Sequence, residues 1–371
     1  MMTMILDSYP LYIEEIDLTT KNLYKLPDLT RFTKLKKLFC SRNNLTELTN
    51  LPNTLTELYC DNNQLTKLTN LPNTLTILNC NNNKLTKLSN LPNILTELYC
   101  NNNQLTKLSN IPNTLTELYC SNNQLTKLSN LPNMLNQLDC SYNKLVEFSN
   151  LPNTLTDLDC SNNELIELSN LPDTLIKLDC SYNQLSELSN LPNTLTELYC
   201  NNNQLTGLIN LPNTINQLYC NNNQLTKLNN LPSALIILGC SNNKLTELNN
   251  LPNTLKLLNY NNKIINIDTG CVNNIDDINI IDDNSDNNID TSCIINIDDI
   301  NDDNSDNNSD DINDDNSDDN SDNINDNNSD NNNINDSDFV LLLKIYNEKI
   351  WLFQSLYKYI NSNVNKKKLK K

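Results

Sequence analysis

The residues of this chain with the most evident capacity for chemistry are its 13 cysteines. Thiolates bind soft metal ions, form disulfides and act as nucleophiles. Eleven of the cysteines recur every 20 residues, from Cys40 to Cys240, and the other two are Cys271 and Cys293. The chain has no histidine and no Cys-x-x-Cys pair, so a zinc site would need thiolates from separate repeats.

The regular spacing of the cysteines also bears on disulfides. Disulfide frameworks have irregular spacings, whereas these cysteines form a strict grid. Cysteines on neighbouring strands lie within reach of a disulfide, but such a bridge would distort a row of core residues. The pattern therefore favours a structural row of reduced thiols, with no metal and no other cofactor.

Aspartate is the second residue type that suggests chemistry. Residues 264–338 contain 23 Asp and no Lys, Arg or Glu. Clustered aspartates attract calcium, but this segment has no EF-hand spacing, no closing Glu and no glycine-rich calcium repeat. Its low hydrophobicity and unopposed charge predict a disordered, solvated linker.

Charge and terminal sequence restrict the class of protein. The formal net charge is −19, and the Asp-rich segment accounts for it, so residues 1–263 are close to neutral. A near-neutral body lacks the basic face that nucleic-acid binding requires. The N-terminus, MMTMILDSYPLY, has no signal-peptide pattern, and no run of 18 apolar residues predicts a transmembrane helix. These features predict a cytoplasmic protein in a reducing compartment.

The cysteines are positioned by a repeat with the pattern LxxLxCxxNxLxxLxxLPxx. Its leading leucine falls at every twentieth residue from Leu35 to Leu255, with Ile215 as a substitute, and a looser copy begins at Ile13. This gives about 13 repeats over residues 13–263, after an N-terminal segment at residues 1–12. Single repeats of this length cannot bury their leucines, whereas stacked repeats share one continuous core.

Each recurring residue has a predicted position in the repeat. In LTELYC (55–60), Leu58 and Cys60 alternate with Glu57 and Tyr59, which predicts a short strand with one buried face. The asparagine column from Asn43 to Asn243 is predicted to bond backbone groups where the chain turns after the strand. Pro52 and its equivalents favour an extended or irregular return segment instead of a helix.

The pattern LxxLxCxxNxL resembles the leucine-rich-repeat signature, with Cys at the third leucine position. Its 20-residue period and its LP dipeptide resemble the repeats of bacterial type III effectors. The Asn, Ile and Lys bias and the cysteine column resemble leucine-rich-repeat proteins of amoeba-infecting giant DNA viruses. The resemblance implies a curved solenoid with parallel short strands on its concave face, an extended convex side and a role in protein–protein interaction.

On such a solenoid the first and third residues of each strand line the concave face. This places tyrosines on either side of an acidic centre, and tyrosine and acid together suit a protein partner with a basic segment. The predicted partner-binding residues are Tyr59, Tyr99, Tyr119, Tyr199, Tyr219, Asp139, Asp159, Asp179, Glu97 and Glu117. The alternative is codon drift on a solvated face, because Tyr, Asn and Asp codons differ only in their first base.

Residues 339–371 differ in composition from the Asp-rich segment before them. Their apolar residues are spaced alternately four and three residues apart, and the segment ends in a run of lysines. The spacing predicts an amphipathic helix with a basic tail. Three roles remain open for it: docking on the solenoid, association with a partner or a second copy, and attachment to a membrane surface.

Taken together, the sequence predicts a non-enzymatic interaction scaffold that recognises a partner on its concave face. Two alternatives accompany this hypothesis. One is an adaptor resembling those effectors that carry a ubiquitin-ligase domain after their repeats. The other is a membrane-surface tether that acts through residues 339–371.

Overall fold

The computed structural model describes residue 6, residues 9–261 and the backbone of residues 263–266 and 294–296. The elements whose bounds are described are all short strands, and residue 6 is helical. The strands are β1 (Glu15–Asp17), β2 (Lys37–Phe39), β3 (Glu57–Tyr59), β4 (Ile77–Asn79), β5 (Glu97–Tyr99), β6 (Glu117–Tyr119), β7 (Gln137–Asp139), β8 (Asp157–Asp159), β9 (Lys177–Asp179), β10 (Glu197–Tyr199), β11 (Gln217–Tyr219), β12 (Ile237–Gly239), β13 (Leu257–Tyr260), β14 (Lys263–Asn266) and β15 (Ile294–Asn296).

The strands form one sheet in chain order, and β1 to β13 are parallel. Each strand from β2 to β12 pairs with the next in a register that joins residues 20 apart, as in Leu58 with Leu78. Strands β1 and β2 join residues 22 apart, which matches the longer first repeat. One repeat therefore makes one turn of a parallel solenoid, as the sequence predicts.

The core lies inside this coil. The middle residue of each strand from β1 to β13 is buried, as is the cysteine that follows strands β2 to β12. In the third repeat Leu55, Leu58 and Leu65 are fully buried, and Leu68 is buried as well. Because successive turns stack at about 4.8 Å, these columns form one continuous apolar interior from the first repeat to the last.

The return segment between strands is irregular, as the proline predicts. Pro52 is buried, and its carbonyl accepts a hydrogen bond from the Leu55 amide at 3.2 Å. The same turn recurs in later repeats, for example between Pro92 and Leu95 at 3.1 Å. Proline thus closes a tight turn just before the strand without leaving an amide unpaired.

The buried asparagine column connects consecutive turns. The Asn103 amide nitrogen donates to the carbonyls of Cys80, Cys100 and Asn101 at 3.0, 3.1 and 3.1 Å. Its oxygen accepts from the Leu85 amide at 3.0 Å. The predicted role of this column is therefore confirmed, and each asparagine bonds the backbone of two turns.

Two further asparagine columns have a role that the sequence analysis does not identify. The residues at positions equivalent to 62 and 70, with the exception of Asn150, have positive φ, for example 54° at Asn62 and 55° at Asn70. Asparagine enters the left-handed region more readily than other non-glycine residues. Part of the high asparagine content is thus required by the turns on either side of the buried face.

Tyrosine replaces asparagine in one of these columns at Tyr142 and Tyr182, with φ values of 49° and 55°. Both rings are more than half exposed, so they gain little from burial. We expect Tyr142→Asn and Tyr182→Asn each to raise the free energy of unfolding by about 1 kcal/mol. Urea unfolding followed by circular dichroism measures this change.

The matched control is Asn162→Tyr, in the same column between the two tyrosines. We expect it to lower the free energy of unfolding by a similar amount. If Tyr142→Asn and Tyr182→Asn both destabilise the protein, packing of the rings outweighs the backbone strain.

At its C-terminal end the sheet changes direction. Strand β14 pairs antiparallel with β13, and β15 pairs antiparallel with β14. Both strands lie at least partly within residues 264–338, the range predicted to be a linker. The rest of that range, residues 339–371 and most of residues 1–12 lie outside the described residues, as do Cys271 and Cys293. In the described part of the chain we find no helix with the length and hydropathy needed to cross a bilayer.

Candidate protein-interaction face

The candidate site is the outer surface of the parallel strands, here called the strand face, formed by the first and third residues of β2 to β12. The pleat turns the middle residue of each strand into the core and these two residues away from it. Parallel register then places equivalent residues of successive repeats side by side, as with Glu97 and Glu117 or Tyr99 and Tyr119. Residues of the same type at equivalent positions in neighbouring repeats therefore form a continuous row along the face.

The aromatic residues of the strand face form stacked pairs. The rings of Tyr99 and Tyr119 are 4.8 Å apart between centroids and inclined by 5°. Tyr199 and Tyr219 stack at 5.0 Å, and Phe39 and Tyr59 stack at 4.7 Å. Each pair presents a rigid aromatic surface that is already ordered before any partner binds.

The tyrosine hydroxyls bond the first residue of their own strand and the first residue of the next strand. The Tyr99 hydroxyl lies 2.9 Å from Glu97 Oε2 and 3.2 Å from Glu117 Oε2. Tyr119 contacts Glu117 and Gln137 in the same way. Burial and the neighbouring carboxylates raise the pKa of Tyr99 and of Tyr119, so both phenols stay protonated. The predicted residues Glu97, Glu117, Tyr99 and Tyr119 thus form one connected cluster.

Between the tyrosine pairs lies the acid row, which consists of Asp139, Asp159 and Asp179 at the ends of β7, β8 and β9. Strand pairing brings Asp139 next to Asp159 and Asp159 next to Asp179. Burial raises the pKa of Asp139 to about 8, and the charge of Asp159 adds to the rise. Burial also raises the pKa of Asp159, with Asp179 contributing, and the pKa of Asp179.

Three of the predicted contact residues are less accessible than the sequence analysis assumes. Asp139 is 3% exposed, Asp179 is 8% exposed and Tyr199 is 1% exposed, so the expectation that they face solvent is wrong. The close spacing of turns explains this, because side chains of adjacent repeats cover one another along a row. The remaining predicted residues are partly buried: Tyr59, Tyr99, Tyr119, Tyr219, Asp159, Glu97 and Glu117.

Serine residues next to the acid row are a part of the site that sequence reasoning missed. Asp139 Oδ1 accepts hydrogen bonds from the amide and hydroxyl of Ser141 at 3.0 and 2.7 Å. The amides of Ser161 and Ser181 bond Asp159 and Asp179 in the same way. The signal was visible in the sequence, since the three repeats that contribute to the acid row all read LDCS.

The strand face of β2 to β12 is acidic. Its first and third residues include eight carboxylates and two lysines, Lys37 and Lys177. Lys37 pairs with Glu57 at 2.7 Å, and Lys177 lies 3.7 Å from Glu197. The face therefore carries a formal charge of −6, and its negative charge is concentrated between β5 and β9.

The cysteines lie on the opposite side of the strands and do not reach this face. The eleven cysteines from Cys40 to Cys240 are buried and uncrosslinked. Burial raises the pKa of each, to about 12 for Cys80 and Cys240. The row forms part of the apolar interior, where a thiol behaves as a small hydrophobic group. Among the described residues no group of three or more Cys, Asp or Glu has the arrangement of a metal site.

Comparison with solved structures identifies the fold. YopM, a leucine-rich effector protein from Yersinia pestis, superposes with a TM-score of 0.60. The two are 34% identical over 67% of this chain and 77% of YopM. This chain is a leucine-rich-repeat protein. Its family membership agrees with the repeat pattern, and its 20-residue spacing agrees with the resemblance to bacterial effectors.

Two further leucine-rich-repeat structures extend this result. YopM from Yersinia enterocolitica is 34% identical, with a TM-score of 0.53, over 67% of this chain. The match spans 64% of that protein, which is less than two thirds of its length. The functional domain of InlJ from Listeria monocytogenes is 31% identical over 67% of each chain, with a TM-score of 0.53.

The InlJ domain is described as including a cysteine ladder, and the same description fits the eleven buried cysteines of this chain. A scan of protein-family models and a search of curated proteins gave no match. The resemblance to proteins of giant viruses stays a prediction.

Proposed function

We propose that this leucine-rich-repeat protein is a non-enzymatic scaffold that binds a partner protein on its strand face. The observation that carries the proposal is the juxtaposition of stacked tyrosine pairs with a formal charge of −6 on one continuous surface. YopM from Yersinia pestis, which has the same fold, is a leucine-rich effector protein, and this supports a role in protein interaction.

The chemistry of the face indicates the kind of partner. Tyrosine supplies a large rigid contact area and a hydroxyl, and it is enriched among residues that dominate binding energy. Carboxylates beside the rings attract and orient a positively charged segment. We therefore infer a partner that presents lysine or arginine side chains together with apolar groups.

The same proposal places the protein in a reducing, cytoplasmic setting. A row of eleven buried thiols without crosslinks is typical of proteins kept in reducing compartments. Membrane attachment or self-association through residues 339–371 and a ubiquitin-ligase adaptor role remain alternatives that depend on residues outside the described range.

The test uses Tyr99 and Tyr119, the stacked tyrosine pair in which both residues are partly exposed. Random peptides displayed on phage are selected on the full-length protein, and the affinity of the selected peptides is measured. We expect enrichment of basic sequences, and we expect Tyr99→Asn with Tyr119→Asn to weaken their binding by about tenfold or more. Asparagine occurs at the same column in Asn79 and Asn259, so the fold accommodates it.

The matched control is Lys107→Ala with Lys127→Ala, which changes two exposed residues of the same repeats away from the strand face. It should leave peptide binding unchanged. Equal affinity of the selected peptides for the tyrosine variant and the unmodified protein would contradict the proposal.

A further inference from the structure

The three carboxyls of the acid row lie close together, and the groups around them carry too little positive charge to neutralise three carboxylates. Asp139, Asp159 and Asp179 stand on three adjacent strands in register, so neighbouring carboxyls are separated by about one strand spacing, ~4.8 Å. Two of the three are more than nine-tenths buried. Like charges this close in a poorly hydrated site cannot all be ionised without a large free-energy cost.

A second observation points to a missing proton or donor. Asp139 Oδ2 is buried and has no hydrogen-bond partner among the described residues, although Oδ1 is bonded to Ser141. A buried carboxylate oxygen without a donor is costly. Either a proton on the carboxyl or a donor brought by a ligand removes that cost.

The groups that face the row from neighbouring elements do not neutralise it. Tyr119 faces Asp139 from β6, and Asp157 faces Asp159 from its own strand. Lys177 on β9 lies near Asp179, but it is also close to Glu197 on β10.

On the remaining sides the neighbours are uncharged. The residues concerned are Gln137, Ser121, Tyr142, Tyr199 and the buried thiols of Cys120, Cys140, Cys160 and Cys180. Lys177 is thus the one cation among all the groups named here.

We propose that the acid row exchanges protons for a cationic side chain of the partner, so that binding at the strand face releases protons. This inference rests on the proposed function, because it concerns the same face. In the free protein the row as a whole holds at least one proton near neutral pH. When a guanidinium or ammonium approaches the partly exposed Asp159, an O–H bond of the row breaks, its electron pair stays on the carboxylate and the proton leaves to the buffer.

The stability of the free protein should depend on the protonation of the acid row. Because burial raises the pKa of Asp139 from 3.8 to about 8, the folded protein binds more protons than the unfolded chain between these pH values. The free energy of unfolding should therefore fall as pH rises from about 4 to about 8. The variant Asp139→Asn, Asp159→Asn, Asp179→Asn should lose this part of the pH dependence.

The experiment measures proton release directly. Hexa-arginine amide is titrated into the full-length protein by calorimetry at pH 6.5, in buffers with different ionisation enthalpies. We expect release of about one proton per peptide and an affinity that rises up to about tenfold per pH unit between pH 5.5 and 7.5. A hexa-citrulline peptide, which keeps the shape and lacks the charge, should not release protons.

The triple asparagine variant serves as the decisive comparison. Its fold is checked by circular dichroism and urea unfolding, and Asn79 and Asn259 show that this column accepts asparagine. Loss of proton release in the variant supports the inference. Carbon-13 NMR of the aspartate carboxyls should give a titration midpoint for Asp139 well above 4 in the free protein.

Other outcomes would overturn the inference. Binding of hexa-arginine without proton release, or with release unchanged in the triple variant, would contradict it while leaving the proposed function intact. Absence of hexa-arginine binding would also contradict it, whatever the NMR midpoints. The proposed function fails separately, when the peptides selected by display are insensitive to the tyrosine substitutions.

Discussion

Asn103→Ala is expected to lower the free energy of unfolding by about 3–5 kcal/mol, because one buried amide serves four backbone groups. Its side chain bonds the carbonyls of Cys80, Cys100 and Asn101 and the amide of Leu85. Alanine leaves the Leu85 amide unsatisfied in a dry interior, which costs about 1–3 kcal/mol. The three carbonyls keep donors from Asn83, Asn123 and the Asn82 amide, and each of their lost hydrogen bonds costs about 0.5–1.5 kcal/mol. Urea unfolding of the full-length protein measures the change.

The position of Asn103 sharpens this expectation. Asn103 lies between β5 and β6 and bonds two successive turns. Removing its side chain therefore weakens the contact between the repeats before it and the repeats after it, and the stability of a solenoid depends on such contacts between neighbouring turns. We therefore expect a broader unfolding transition as well as a lower midpoint.

Gln104→Ala is the control, since Gln104 is adjacent and exposed. It should change stability by less than about 0.5 kcal/mol. An equal effect of Asn103→Ala and Gln104→Ala would show that the buried column does not connect the turns.

The eleven buried cysteines from Cys40 to Cys240, here called the cysteine ladder, should be strongly protected from alkylation in the native protein. We expect their alkylation by iodoacetamide at pH 8 to be at least about 1,000-fold slower in the native protein than in urea. The thiols are buried and their pKa values are raised, so reaction requires opening of the solenoid. Mass spectrometry of the modified protein counts the labelled sites over time.

The measurement should be made on the variant Cys271→Ser, Cys293→Ser, which retains only the ladder cysteines. In urea all eleven thiols should react without prior reduction. Rapid labelling of the native protein would show that the cysteines are not interior residues, and fewer than eleven reactive thiols in urea would show that the row is partly oxidised.

The sequence by itself determined the architecture of residues 13–263. A fixed 20-residue period specifies one turn of the coil, and the leucine and cysteine columns specify its buried side, since a residue type repeated at constant spacing must occupy equivalent environments. The buried asparagine column and the irregular return at Pro52 follow from the hydrogen-bonding capacity of these residues. All of these features follow from residue types that recur at the same position of each repeat.

The sequence determined only some features of the strand face. Its columns and its chemical character were predicted, but the burial of Asp139, Asp179 and Tyr199 was not. The tyrosine stacks and the shared hydroxyl of Tyr99 also depend on residues from two turns. The same is true of the charge interactions within the acid row.

The physical reason is that accessibility, stacking and protonation depend on the distance between side chains of different repeats. Those repeats lie 20 residues apart in the chain and adjacent in space. Sequence pattern gives the identity of each column, whereas the tertiary structure decides how closely neighbouring members of the column approach one another.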